Sequence, residues 1–265
     1  MKKLIIASVL ALASSAYAAD FAAGDLVLGF KVAGGTGSAS NVVVDLGAVT
    51  GFTGALDTVA NASGLGSVLT STYGSNWATR SDLQFGVFSA VSLTRNANLW
   101  ASQAESASGV LQTNVTGAYS SSALVTGKAA FQNFTSNASL LTAAAGTTHV
   151  YVQDSSVGNS WQNQEGSSVS FAVVSPTIDG VMASATANAK GVADHAQYSV
   201  LDLYKLTSTG NSFVGGFGLS SAGNVAFQTD VTQFQAIPEP STYAAILGAL
   251  TVGFVALRRR FSKAV

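Results

Sequence analysis

The sequence predicts a mainly β fold: an antiparallel β-sandwich or jelly roll with one or two short helices, flanked by an N-terminal signal helix and a C-terminal transmembrane helix. Three observations carry this. Short runs rich in β-branched and aromatic residues alternate in polarity and are separated by turn-forming residues. The strand–helix–strand order that builds a parallel sheet is missing from the pattern. Each end of the chain pairs an uncharged apolar run with basic residues.

Taken in order, Asp25–Val32 and Asn41–Leu46 read as strands joined across Gly34-Gly35-Thr36-Gly37-Ser38. Leu56–Tyr73 carries apolar residues at helical spacing, weakened by Gly64 and Gly66. From Leu83 to Leu93 every second residue (Leu83, Phe85, Val87, Ser89, Val91, Leu93) falls on one face, as a half-buried strand requires. Asn98–Ser102 is a further short strand, and the alanine-rich stretch Ser121–Ala145 leans helical. Strands then follow at Thr148–Gln153, Ser168–Val174, Tyr198–Leu206, Ser212–Leu219 and Asn224–Val231, the last two joined by a hairpin turn at Ser220–Gly223.

Composition narrows the environment. Only 9% of residues are charged, against about 25% in an ordinary globular chain. Its hydrophilic surface must therefore rest on hydroxyls and amides. The net charge of −1 hides an asymmetry. Half of the twelve basic residues sit at the termini, and between Ala19 and Ala236 six basic residues face twelve acidic ones, a net of −6. An acidic domain without a basic stripe disfavours nucleic-acid binding. With no cysteine, an exported domain must be stabilised by its core alone. Roughly 220 residues between the termini suffice for one large domain, and only Pro176 interrupts them. We read 1–18 as signal peptide, 19–236 as a secreted β-rich ectodomain and 237–265 as a C-terminal signal.

At the N-terminus, Lys2-Lys3 precedes an apolar run from Leu4 to Ala13, and Ala16-Tyr17-Ala18 supplies the small-x-small pattern a signal peptidase accepts. About ten apolar residues are too few to span a bilayer, which takes about 20. This predicts export through the Sec translocon with cleavage after Ala18. At the other end, Pro238-Glu239-Pro240 leads into the uncharged run Ser241–Leu257 and then Arg258-Arg259-Arg260. That run would extend about 25 Å as a helix, enough to halt translocation with the arginines on the cytoplasmic side.

The order Pro-Glu-Pro, apolar helix, arginine cluster resembles the PEP-CTERM sorting signal, over about the last 28 residues. The resemblance implies recognition of Pro238, Glu239 and Pro240 by an exosortase, a membrane-embedded cysteine protease that cuts near them. It implies a Gram-negative source that makes exopolysaccharide, transient residence in the inner membrane, and a final place at the cell surface or in extracellular matrix. The local chemistry agrees, because two prolines keep the peptide extended for a protease. A plain single-pass anchor with a Pro-rich juxtamembrane turn is the alternative. The pattern Gly24-Asp25-Leu26-Val27-Leu28-Gly29-Phe30 followed by Val42-Val43-Val44-Asp45-Leu46-Gly47 also looks, loosely, like other ectodomains that carry this signal, and implies no activity.

Catalytic chemistry is hard to find. The two histidines, His149 at a strand edge and His195 in a polar loop, do not make a zinc site in a cysteine-free chain. There is no G-x-S-x-G elbow. Gly34–Gly37 and Gly215–Gly218 lack the complete dinucleotide pattern and read as turns. Glu105 and Glu165 cannot be paired into a glycosidase dyad from sequence. Asp154, Asp179, Asp194 and Asp202 match no calcium loop and read as solvated loop residues, with weak calcium binding as the alternative. Trp161, set among amides in Gly158-Asn-Ser-Trp-Gln-Asn-Gln-Glu-Gly166, is the candidate for stacking on a sugar, whereas Trp77 and Trp100 read as core. The expectation is a non-enzymatic surface or matrix protein of structural or adhesive role, without metal or cofactor, whose outside partner is exopolysaccharide. The alternative is a secreted polysaccharide-acting enzyme or carbohydrate-binding module on an ordinary membrane anchor.

Overall fold

The structure, a computed structural model, describes residues 21–56, 58–91, 98–104, 118–137, 140–165, 180–181 and 198–229. All of them belong to a compact unit that ends at Phe234; the unit from Gln235 onward lies outside the described residues.

The fold is mainly antiparallel β with few helices. Its strands are β1 (Asp25–Val32), β2 (Ser40–Ala48), β3 (Leu83–Ala90), β4 (Leu99–Ala104), β5 (Thr142–Ala143), β6 (Val150–Asp154), β7 (Gly180–Val181), β8 (Tyr198–Leu206), β9 (Ser212–Ser220) and β10 (Val225–Gln228). The helices are α1 (Leu65–Tyr73), α2 (Ser121–Thr135) and α3 (Trp161–Glu165). One hydrogen-bonded path runs β10-β9-β8-β4-β3-β1-β2-β6-β5, with β7 joined to β3. The strands thus form a single curled sheet.

The curl follows from where the apolar residues go. Leu26, Leu28 and Phe30 of β1, Val42 and Val44 of β2, and Phe85 and Val87 of β3 point to one face. There they share a cluster with Leu201 and Leu203 of β8, Phe217 of β9, and Val225 and Phe227 of β10. Burying this apolar surface brings the two ends of the sheet round to one core. α1 supplies Leu65, Val68, Leu69 and Tyr73 to the same core. The opposite face carries Val27, Val43, Phe88, Leu99, Ala101 and Tyr151, covered by Leu124, Phe131 and Phe134 of α2 and Trp161 of α3. Buried on both faces, β1 reads as a near-continuous apolar run.

Several expectations are refined here. The helical reading of Leu56–Tyr73 holds only from Leu65. Leu56 instead bonds to β10, its N–H donating to Phe227 O at 2.7 Å and its carbonyl accepting from Phe227 N at 2.8 Å. Val59 N donates to Val225 O at 2.7 Å, so this segment covers the open edge of β10. Gly66 is not a weakness in α1, because a Cβ there would lie 2.1 Å from Ala222 O in the β9–β10 turn. Within Ser121–Ala145 the helix ends at Thr135, capped at its start by Ser120 Oγ, which accepts from Ala123 N. The strand read at Leu83–Leu93 ends at Ala90. Ser220–Gly223 forms the hairpin turn as expected, Gly223 N donating to Ser220 O at 2.9 Å. The expected strand Ser168–Val174, the signal segment and the C-terminal apolar run lie outside the described residues. Among the described residues, no helix is long and apolar enough to cross a membrane.

Candidate functional site

The glycine-rich connection between β1 and β2 is a turn, and its partners show why it does not cradle phosphate. Phosphate binding needs backbone N–H groups aimed inward. Here the carbonyls converge instead: Arg80 donates to Thr36 O at 2.6 Å, to Gly34 O at 2.9 Å and to Tyr73 O at 3.1 Å. Asp82 holds the same guanidinium, accepting at 2.8 and 2.6 Å, which raises the Arg80 pKa and lowers that of Asp82. Beneath the turn, the Tyr73 hydroxyl accepts from Val42 N at 3.0 Å and donates to Phe30 O at 2.9 Å, tying α1 to β1 and β2. The second glycine run, Gly215–Gly218, corrects our reading of it as a turn. It lies inside β9, where a Cβ on Gly215 would meet the Phe227 ring at 2.3 Å.

Trp161 also requires correction. It is 0% exposed and packs on Phe88 at 4.9 Å and edge-on to Phe134 at 6.1 Å between ring centroids. Its indole presses onto Gly29 of β1, where a Cβ would lie 2.0 Å from the ring. Gly29, which pairs with Gly86 of β3, forms the floor for the ring. No face of the indole is open to a sugar, so the stacking assignment fails on burial. The signal in the sequence was Gly29 itself, because a glycine inside a strand marks close approach by another group. Trp77 and Trp100 are core, as expected.

His149 stands at the start of β6, half exposed, with Nδ1 3.7 Å from Asp45 Oδ2. Asp45 N donates to His149 O at 3.0 Å, and Asp45 Oδ1 accepts from Gly47 N at 2.8 Å, closing the irregular end of the β1–β2 ladder. Burial pushes the Asp45 carboxyl above the usual carboxylate range, and nearby Asp25 adds to this, against the lowering effects of Gly47 N–H and His149. Asp25 itself accepts from Ala22 N at 2.7 Å. These contacts make the trio a lock on the N-terminal strand.

The described cavity of about 320 Å³ opens beside α2. Lys128, Phe131, Gln132 and Thr135 form one helical face toward it, opposite Phe21, Ala23, Ala90 and Val91. Burial lowers the Lys128 pKa. Apolar walls with few polar groups can receive an apolar moiety.

No family model, no curated protein and no solved structure matches this chain.

Among the described residues, no three histidine, aspartate or glutamate side chains gather to hold a metal. Asp154, exposed at the end of β6, accepts from Ser156 N and Oγ, while Asp202 is buried in β8, contrary to its reading as a solvated loop residue. Ala16, Ala18, Pro238, Glu239, Pro240, Arg258, Arg259 and Arg260 lie outside the described residues, as do Glu105, Asp179, Asp194 and His195.

Proposed function

We propose that this chain is an exported cell-surface or extracellular-matrix protein, sorted by an exosortase at Pro238-Glu239-Pro240, with a structural or adhesive role and no catalysis of its own. The observation that carries the reading is the order of three features in the last part of the chain: the Pro-Glu-Pro motif, the uncharged run Ser241–Leu257 and Arg258–Arg260. Lys2-Lys3, the apolar run and Ala16-Tyr17-Ala18 support entry through the Sec translocon and cleavage by signal peptidase. Processing at both ends removes half of the basic residues and leaves an acidic, cysteine-free β domain.

The ectodomain is sandwich-like in this reading, because strands from both ends of its sheet enclose one core. Its polar side chains support a scaffold more than a catalyst: Arg80, Tyr73 and Asp45 are spent on turns and ladder ends. The alternative of a carbohydrate-binding module loses its best residue with the burial of Trp161.

Mass spectrometry of the mature protein from envelope and medium tests the sorting. A chain beginning at Ala19 and ending near Pro240 is the expected product. Only full-length C-termini ending at Val265, in cells with an active exosortase, would overturn it and leave a plain membrane anchor.

A further inference from the structure

Between α3 and the sheet lies a layer of amides where a dry core would be expected. Asn41 of β2 and Gln153 of β6 stand opposite each other in register, on the face that α3 covers. Asn41 is 0% exposed, and both of its amide atoms are without a hydrogen-bond partner. Gln153 turns its Oε1 to α3, accepting from Trp161 N at 2.9 Å, which leaves its buried Nε2 unpaired. Trp161 Nε1 is buried and unpaired as well. Gln164 donates to Gly158 O at 2.9 Å and keeps a buried, unpaired Oε1.

We propose that this layer is an internal hydration site, in which ordered water bridges Asn41, Gln153, Trp161 and Gln164 and docks α3 onto the sheet. Asn41 faces Gln153, Gln153 bonds to Trp161, and Gln164 follows Trp161 in α3; their five buried polar atoms demand partners, since buried polar groups in folded proteins are almost always satisfied. Their chemistry selects the occupant. Asn41 Nδ2, Gln153 Nε2 and Trp161 Nε1 donate; Asn41 Oδ1 and Gln164 Oε1 accept. An anion would find no cationic group among them, and two amide oxygens are too few for a calcium-like ion, which takes six to eight oxygen ligands. Water both donates and accepts, at about three hydrogen bonds per buried molecule, so about two waters match this set.

The three tryptophans allow a direct test in the full-length chain, labelled with ¹⁵N only at tryptophan and assigned by Trp161→Phe. A rotating-frame Overhauser cross-peak between the Trp161 indole proton and long-lived water is the expected result. Trp77, whose Nε1 donates to Thr70 Oγ1 at 3.2 Å, serves as the directly bonded reference. Asn41→Leu should abolish the Trp161 water cross-peak while leaving its indole signal dispersed. If that variant fails to fold, Gln164→Met provides the same readout from the helix side. A folded protein without the cross-peak, or a high-resolution crystal structure in which Asn41 bonds directly to Gln153, would overturn the proposal.

Discussion

On the α1 side of the sheet, aromatic rings close on one another: Phe52 meets Phe217 at 5.3 Å and Phe227 at 5.2 Å, and Phe30 stacks on Phe85 at 5.8 Å. On the α2 and α3 side, Trp161, Phe88 and Phe134 form a comparable cluster, but next to it stand Asn41, Gln153, the buried Lys128 and the cavity. One face is enclosed by the sheet's own curl, with both ends of the sheet contributing side chains. The other is covered, among the described residues, mainly by α2 and α3, with Leu141 beside them. The contrast teaches that one core is closed by the strands themselves, whereas the other depends on docked helices and holds buried amides and a lysine.

The largest effects should come from emptying each core. Phe227→Ala and Trp161→Ala should each cost about 3–5 kcal/mol in urea unfolding, with Phe227→Ala the more costly, because its ring joins Phe52 and Phe217 at the meeting of the two ends of the sheet. Equal costs would break the comparison. Gly66→Ala comes next. Despite a gain in helix propensity of about 1 kcal/mol, the contact with the Ala222 carbonyl should make it destabilising by about 1–3 kcal/mol, seen as a lower urea midpoint. Tyr73→Phe should cost about 1–3 kcal/mol by stranding the Val42 N–H, checked by faster amide exchange in β1 and β2.

The smallest effect is electrostatic. The Asp45 carboxyl has a raised pKa in the folded state, so the fold binds that proton more tightly than the unfolded chain does. Its contribution is fully present below the unfolded value of about 3.9 and is lost as pH rises through the folded value. Asp45→Asn keeps an oxygen for Gly47 N–H and removes the buried charge. It should raise neutral-pH stability by less than about 1 kcal/mol and flatten the dependence of Tm on pH across that window. An unchanged pH profile would show that burial of Asp45 carries no such linkage.

How much was legible depended on whether the cause was local. Alternation and β-branching placed β1, β2, β8 and β9 nearly to the residue, since side-chain direction along a strand is a local property. The hairpin at Ser220–Gly223 was readable for the same reason. The segment Leu56–Val59 was misread as helix because its true partner, β10, lies some 170 residues away in sequence. Trp161 was misread because amides around a tryptophan look like a surface loop. Nothing adjacent to it announces that Gly29 leaves space for its ring.

By itself, the sequence determined the strand-rich class, the acidic and cysteine-free character of the domain, and the Pro-Glu-Pro, apolar and arginine order on which the proposed sorting rests. These are properties of composition and of linear motifs, and a protease that takes an extended peptide reads them in the same linear form. Only the tertiary structure decided that the strands share one curled sheet, that α1 lies inside it, and that Trp161 faces inward above a layer of amides. Strand order and burial depend on which distant surfaces meet, and the free energy of that meeting is written in no single stretch of the chain.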